Sequence, residues 1–481
     1  MDALPFNFAK QYGVLLDTQQ DRLYVRKSAP MSAVLEAHRV LDIVPPLERL
    51  EDAEFNEYLQ RTYSNRNDSS LDVMENIEEV MGLEQAAAQL EDSADLLSGD
   101  DDAPIIRLLN SILFEALKEG ASDIHVEPYE TNAQVRFRLD GVLRTVLSPS
   151  VTIAPLLISR IKVLAKLDIA EKRIPQDGRM GVQLGGRSID LRVSTLPSSY
   201  GERVVLRLLD KSAGQLSLDD LGLAGDNRVK LDSLIARPHG IILVTGPTGS
   251  GKTTTLYAAL QQMDRQVRNI MTVEDPVEYD LPGVSQTQIN LRAGMTFAKG
   301  LRAILRQDPD VILIGEIRDK ETAEIATQAS LTGHLVLSTL HTNTAAGAVT
   351  RLQDLGVDSF LLSSTVRGVM AQRLVRRLCD GCKKPINDPA MAEKVGLLEG
   401  ETLFEGNGCD ECNWTGFSGR QGLYELVLID AGLQRMIHDK AGEVDLEEYI
   451  RRDVPSILHS GFDLVRSGKT TLEEVLRVTS V

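Results

Sequence analysis

Lys252 and Thr253 close the run Gly246-Pro247-Thr248-Gly249-Ser250-Gly251-Lys252-Thr253, a cation and a hydroxyl placed directly after three glycines. That order is suited to holding a nucleoside triphosphate. The glycines let the backbone curl so that its N–H groups face inward. Lys252 can then reach the β- and γ-phosphates, and the Thr253 hydroxyl can bind Mg²⁺. Four apolar residues, Ile241–Val244, precede the loop as a buried strand, and a helix beginning near Thr253 points its positive end at the same phosphates. Strand, loop and helix in this order predict ATP binding.

Carboxylates follow at the positions that phosphoryl transfer needs. The apolar stretch Val311–Ile314 runs into Gly315-Glu316-Ile317-Arg318-Asp319, so Glu316 stands at a strand end, where an acid can hold Mg²⁺ or orient the attacking water. Glutamate reaches further than aspartate, which favours the water. Glu274, Asp275 and Glu278 form a second cluster, readable as a metal-coupled group or as an acidic turn fixed by Pro276. His334 and His341 flank another short strand and are candidates for γ-phosphate sensing, with a satisfied structural histidine as the alternative. Arginines recur upstream. Arg192 and Arg207 lie within alternating strand patterns that could hold a guanidinium rigidly toward a transferring phosphoryl group, or simply face solvent.

All four cysteines fall in two pairs, Cys379-Asp-Gly-Cys382 and Cys409-Asp-Glu-Cys412, with 26 residues between Cys382 and Cys409. Two CxxC knuckles with no cysteine left over predict a tetrahedral Zn²⁺ site. Four thiolates leave no open position, so the zinc would be structural.

The elements that must position these groups are legible in outline. Residues 228–378 alternate helix and strand around the phosphate loop, which predicts a mostly parallel sheet covered on both faces. Residues 103–220 read as a separate α/β domain. Its amphipathic helix opens at Pro104 and ends at Gly120, and hairpins turn at Asp140-Gly141 and Gly185-Gly186. Residues 1–65 form a small module with a helix expected over Glu48–Arg61, and 66–102 an acidic linker with a weak helix around Val73–Leu90. The cysteine lobe is assigned to 379–425 and a helical region to 426–481.

At 481 residues the chain has room for roughly three domains. Net charge is −18 and aromatics are 4%, a poor endowment for tracking along phosphates or stacking on bases. Nucleic acid is therefore not expected as the substrate. No apolar run approaches the roughly 18 residues that span a bilayer, and the N-terminus lacks the pattern of a signal peptide. A cytosolic protein is expected.

Taken together, the boxes Gly246–Thr253, Glu274–Glu278, Gly315–Asp319 and Thr332-Gly-His-Leu with His341 resemble those of the secretion ATPases of type II secretion and type IV pili. Ser122-Asp-Ile-His-Val-Glu-Pro128 and Arg173–Arg179 resemble the same family's second N-terminal domain. The resemblance spans about 103–481. The paired cysteines argue against a retraction ATPase, and the short N-terminal module is similar to the type II secretion branch rather than to pilus-extension relatives. It implies a RecA-like ATPase domain preceded by a PAS-like α/β domain. It also implies a homo-hexamer with ATP between those two domains, and catalytic roles for Glu316, Glu278, Lys252, Arg192, Arg207 and His341. Docking of the N-terminal module on a bitopic inner-membrane protein, and hence a place on the cytoplasmic face of that membrane, follows from the same likeness. A pilus-extension motor, a RecA-like nucleic-acid translocase and a non-hydrolysing nucleotide-gated scaffold are the rival readings.

Overall fold

A computed structural model of the chain describes parts of 9–55 and residues 103–479 apart from 185–186, 211–215 and 399. The chain divides into two compact units, Met1–Ser212 and Ala213–Val481. The acidic linker and the helix expected around Val73–Leu90 lie outside the described residues.

In the first unit, β1 (Val14–Asp17) and β2 (Arg22–Arg26) form an antiparallel pair, and β3 (Leu47–Leu50) lies parallel to β2. Glu48–Leu50 are therefore strand, not the start of the expected helix. Pairing with β2 and burial of Leu50 outweigh the local helical pattern, and Arg22 Nη1 meets Glu48 Oε2 across the strands at 2.7 Å. Residues 56–61 lie outside the described residues.

Further along this unit comes an antiparallel sheet of β4 (Asp123–Pro128), β5 (Ala133–Leu139), β6 (Val142–Leu147), β7 (Gln176–Leu184), β8 (Arg187–Ser198) and β9 (Gly201–Asp210), in the order β6-β5-β4-β9-β8-β7. Helices Ala103–Lys118 and Ile153–Leu164 pack on it. Ile105, Leu108, Leu109, Ile112 and Leu113 recur at helical spacing and meet Ile124, Val126, Val135 and Phe137 in one core. Alternation along the strands leaves the opposite face polar.

The second unit is built on a seven-stranded sheet. Its members are β10 (Gly240–Thr245), β11 (Ile270–Glu274), β12 (Ser285–Gln288), β13 (Val311–Ile314), β14 (Leu335–Leu340) and β15 (Val366–Leu378), all parallel, and the antiparallel edge strand β18 (Phe417–Leu428). Their order is β12-β11-β13-β14-β10-β15-β18. Ile242 and Val244 face helices Gly225–Ile235 and Lys252–Gln262, while Ile241 and Leu243 join the core under helices Phe297–Ile304, Lys320–Leu331 and Ala345–Asp354. Both faces are dry, as a parallel sheet requires.

Two sequence-based boundaries shift. Residues 216–220 go with the second unit because Leu218, fully buried, packs with Leu231 and Tyr257. Residues 417–425 belong to the main sheet: β18 pairs with β15 from Gly368↔Leu428 to Leu378↔Phe417, so the cysteine lobe is an insertion between two long strands. It carries the small hairpin of β16 (Lys383–Ile386) and β17 (Leu403–Gly406). Four helices end the chain. Ala431–His438 and Glu443–Ile450 cover the main core, and Ile457–Arg466 and Leu472–Thr479 pack with Val375, Val395 and Leu403. Among the described residues, no helix is long and apolar enough to cross a membrane.

Candidate functional site

Because β10, β11, β13 and β14 run parallel and in close register, the segments that follow them emerge at one edge of the sheet. The phosphate loop follows Thr245, Glu274 ends β11, Gly315-Glu316 follows β13 and His341 follows β14. This is the edge at which open α/β sheets bind ligands. Side chains far apart in sequence are thus gathered by topology alone.

Gly246, Gly249 and Gly251 all have positive φ, at 150°, 80° and 84°. A Cβ on Gly246 would stand 2.4 Å from Gln372 O, and one on Gly251 would stand 2.9 Å from Gln372 Nε2. Nothing but glycine fits those two positions without displacement. Pro247, Thr248 and Gly249 form an exposed tip, Ser250 is buried, and Lys252 and Thr253 open the next helix. The Lys252 ammonium lies over its own loop, donating to Gly246 O (2.7 Å) and Pro247 O (2.9 Å). Burial lowers its pKa to about 8, with Glu316 opposing and Arg373 adding to the fall. A desolvated cation beside inward-curled backbone at a helix N-terminus suits a phosphate chain with its Mg²⁺.

Glu316 is well buried, its side chain 12% exposed. One oxygen pairs with Arg318 Nη2 at 2.6 Å, and Oε2 lies 3.5 Å from His341 Nε2 and makes no closer hydrogen bond among the described residues. Thr339 Oγ1 holds the preceding Gly315 carbonyl at 2.6 Å, so the carboxylate stands on a fixed base. His341 is half exposed, and its pKa is lowered by burial and then by the Lys252 charge. The structure therefore brings Lys252, Glu316 and His341 together. His334 is instead fastened to the end of the preceding helix, Lys320–Leu331, with Nδ1 2.8 Å from Ala329 O.

The second acidic cluster splits. Glu274 is buried and engaged on both oxygens, by Tyr257 and by Thr272 and Gln286, and burial raises its pKa. Glu278 is half-buried, and its N–H donates to the Tyr257 hydroxyl at 3.4 Å. Tyr257 thus ties the helix behind the phosphate loop to the turn that carries Glu278. Sequence reading missed Tyr257 and Gln286, since neither belongs to a motif.

Arg192 and Arg207 lie in the first unit, directly opposite each other on β8 and β9. Arg179 on β7 extends the row on one side, and Asp123 and Arg138 on β4 and β5 extend it on the other. Like charges facing each other across strands are unfavourable. Asp123 offsets them by accepting from Arg207 Nε at 2.9 Å and lying 3.5 Å from Arg138 Nε. Arg207 remains half exposed.

The four cysteine sulfurs lie within 4.8 Å of one another. Sγ–Sγ separations of 3.8 Å join Cys379 to Cys409, Cys382 to Cys412, and Cys409 to Cys412. A tetrahedron with Zn–S bonds of about 2.3 Å has edges of about 3.8 Å, so the donor set fits Zn²⁺. Against the effect of burial, N–H groups of Cys409 (3.2 Å) and Gly416 (3.3 Å) pull the Cys412 thiol below the usual thiol range. Burial pushes the Cys379 and Cys382 thiols up instead, so the shift toward the thiolate a metal needs is at Cys412.

A family model described as type II/IV secretion system protein matches residues 98–477. The chain belongs to the type II/IV secretion system protein family. A second model, for a domain of GSPII protein E, matches residues 3–63 at the N-terminal end. The chain is 54% identical to the type II secretion system ATPase E of Vibrio cholerae serotype O1, over 99% of this chain and 96% of the relative. It is 53% identical to the type II secretion system protein E of Pseudomonas aeruginosa, with the same coverage. The crystal structure of the pilus retraction motor PilT with bound ADP is 27% identical with a TM-score of 0.51, covering 77% of this chain and 96% of that one. The ATPase DotB of Legionella pneumophila shares the fold at 21% identity and a TM-score of 0.57, over 77% of this chain and 95% of that one.

Proposed function

We propose that this chain is the ATP-hydrolysing motor of a type II secretion system, driving pseudopilus assembly and the export of folded proteins. What carries the reading is the meeting of Lys252, Glu316 and His341 beside the phosphate loop, in a family member whose relatives over 99% of its length are named for type II secretion. Gly246, Pro247, Thr248, Gly249, Ser250 and Gly251 cradle the phosphates, Lys252 neutralises β/γ charge and Thr253 holds Mg²⁺. Glu316 orients the attacking water, and its Oε2, which faces His341 at 3.5 Å and makes no closer hydrogen bond among the described residues, supports that role. His341 hydrogen-bonds the γ-phosphate region, and Glu278 is the second carboxylate.

The working assembly is a homo-hexamer, and Arg192 and Arg207 are its candidate arginines for stabilising phosphoryl transfer. Zn²⁺ on Cys379, Cys382, Cys409 and Cys412 stabilises the inserted lobe. The N-terminal module docks on a bitopic inner-membrane protein of the secretion platform, which keeps the motor on the cytoplasmic face of that membrane. Its client is protein, not nucleic acid.

The test replaces the wild-type chain by Lys252→Ala in the source organism, scoring secreted enzymes in the medium and surface pili on the same cells. Lost secretion with intact pili is expected. Lost pili with intact secretion would transfer the motor to pilus extension, and ATPase stimulation by DNA with a steep salt dependence would favour a translocase.

A further inference from the structure

Arg373, on β15, is 3% exposed, and each of its hydrogen bonds goes to a neutral oxygen. Nη1 donates to Gln372 O (3.1 Å), Nη2 to the backbone and side-chain oxygens of Asn343 (3.0 and 3.3 Å), and Nε to Val478 O (3.1 Å). Glu425 favours the Arg373 charge, but burial dominates and lowers the pKa. A buried guanidinium held only by neutral partners is costly unless something else compensates it.

Its surroundings indicate what does. Nη1 is 3.2 Å from where a Cβ would stand on Gly246, so the guanidinium lies against the first glycine of the phosphate loop. Arg373 on β15 and Lys252 are like charges set against one loop, each disfavoured by burial. An anion in the loop would relieve both. The other contacts of Arg373 reach two further segments. Asn343 follows His341 by two residues, and Thr342, between them, is bonded to Thr245 at the root of the loop. Val478 O lies in the last turn of helix Leu472–Thr479, where a helix leaves carbonyls without intrahelical partners and a cation also opposes the helix dipole.

We propose that Arg373 is a positioning residue that couples the charge in the phosphate loop to the C-terminal helix Leu472–Thr479. The proposal rests on the reading that this loop binds ATP. With phosphate present, the guanidinium is favoured where it stands, and its hold on Asn343 and Val478 tightens. By reciprocity, releasing the helix weakens nucleotide binding.

The test compares the full-length wild-type chain with Arg373→Lys and Arg373→Met, measuring amide exchange over 472–479 with and without Mg²⁺ and ADP, together with ADP affinity. In the wild type, ADP should slow exchange in this helix about tenfold or more. Arg373→Met should lose that protection and bind ADP about tenfold more weakly, within the usual range of coupling between sites. Arg373→Lys should keep most of the affinity, because the charge remains, and lose the protection, because an ammonium cannot span three segments. A purely structural capping role predicts faster exchange in Arg373→Met to the same degree with and without ADP, at unchanged affinity, and that result would overturn the coupling. If Arg373→Met does not fold, the wild type and Arg373→Lys decide. Failure of the wild type to bind ADP would overturn the ATP reading itself. Normal binding without protection of 472–479 would overturn the coupling alone.

Discussion

Nucleotide binding should take up a proton above pH 8, and Lys252 sets the amount. Burial lowers this lysine from 10.5 to about 8, a cost of about 3 kcal/mol at 1.36 kcal/mol per unit. A bound phosphate chain places negative charge against the ammonium and returns the pKa toward its ordinary value. At pH 9 a group with a pKa of about 8 is roughly nine-tenths neutral, so binding should take up about 0.9 proton; at pH 7 the figure is about 0.1. Affinity should accordingly weaken by up to about tenfold per unit above pH 8. His341 does not confuse this window, because its pKa is lowered from 6.5.

Folding shows the opposite trend in the absence of nucleotide. The unfolded chain binds more protons than the folded one between pH 8 and 10.5, so the Lys252 cost is fully present below pH 8 and is relieved as pH rises through that window. The assay for binding is titration calorimetry with Mg²⁺ and ADP at pH 7, 8 and 9, in buffers of different ionisation enthalpy. Lys252→Arg, which stays charged throughout, should abolish the proton uptake. Equal uptake at pH 7 and pH 9, or undiminished uptake in Lys252→Arg, would refute the reasoning.

Glu316→Gln should leave ADP affinity near wild type while ATP turnover falls by about 10²- to 10⁴-fold, measured as released phosphate; turnover within threefold of wild type would remove Glu316 from the chemistry. Chelation, or Cys412→Ser, should release bound zinc and raise amide exchange across 379–416, with ADP affinity at the distant loop retained; protection unchanged after metal loss would count against a structural role. Glu474 is 4% exposed and accepts from Arg376 Nη2 (2.6 Å) and Arg477 Nη2 (2.7 Å), which, against burial, hold its pKa at about 2. Glu474→Gln should destabilise the chain by about 1.5–3 kcal/mol in denaturant titrations, the range for hydrogen bonds to a charged group, since the arginines left behind are partly exposed. In the wild type this contribution is complete above about pH 4.5 and is lost as pH falls through about 2, so a variant whose deficit persists at the lowest pH would contradict the ion-pair account.

Much of the site was legible because its chemistry is local. The phosphate loop needs glycine where φ is positive, and a cation and a hydroxyl immediately afterwards, so strand, loop and helix announce themselves within a dozen residues. The CxxC knuckles are equally local, and their sulfurs do converge. Glu316 was visible through its place at the end of an apolar strand. Arg373 and Gln372 were not, although two polar residues inside the apolar run Val369–Val375 are an unusual feature of a buried strand. The roles of Tyr257 and of Asp123, the latter within a segment that the sequence did single out, were hidden for another reason. One acts through a carboxylate 17 residues away, and the other through an arginine 84 residues away.

Sequence alone thus determined what each local segment can do: curl around phosphate, end a strand in an acid, offer four thiolates, and bury one face of each helix. Tertiary structure decided which of these segments meet. Parallel pairing sends β10, β11, β13 and β14 to a common edge, so Lys252, Glu316 and His341 share a site while His334, also in the histidine-bearing segment, does not. The strand pairing of β15 with β18 made the cysteine lobe an insertion, and pairing of β3 with β2 replaced the expected helix start. The physical reason is the same throughout. Propensity and motif act over a few residues, whereas sheet register and burial of a buried charge's partners are set by contacts that no window of sequence contains.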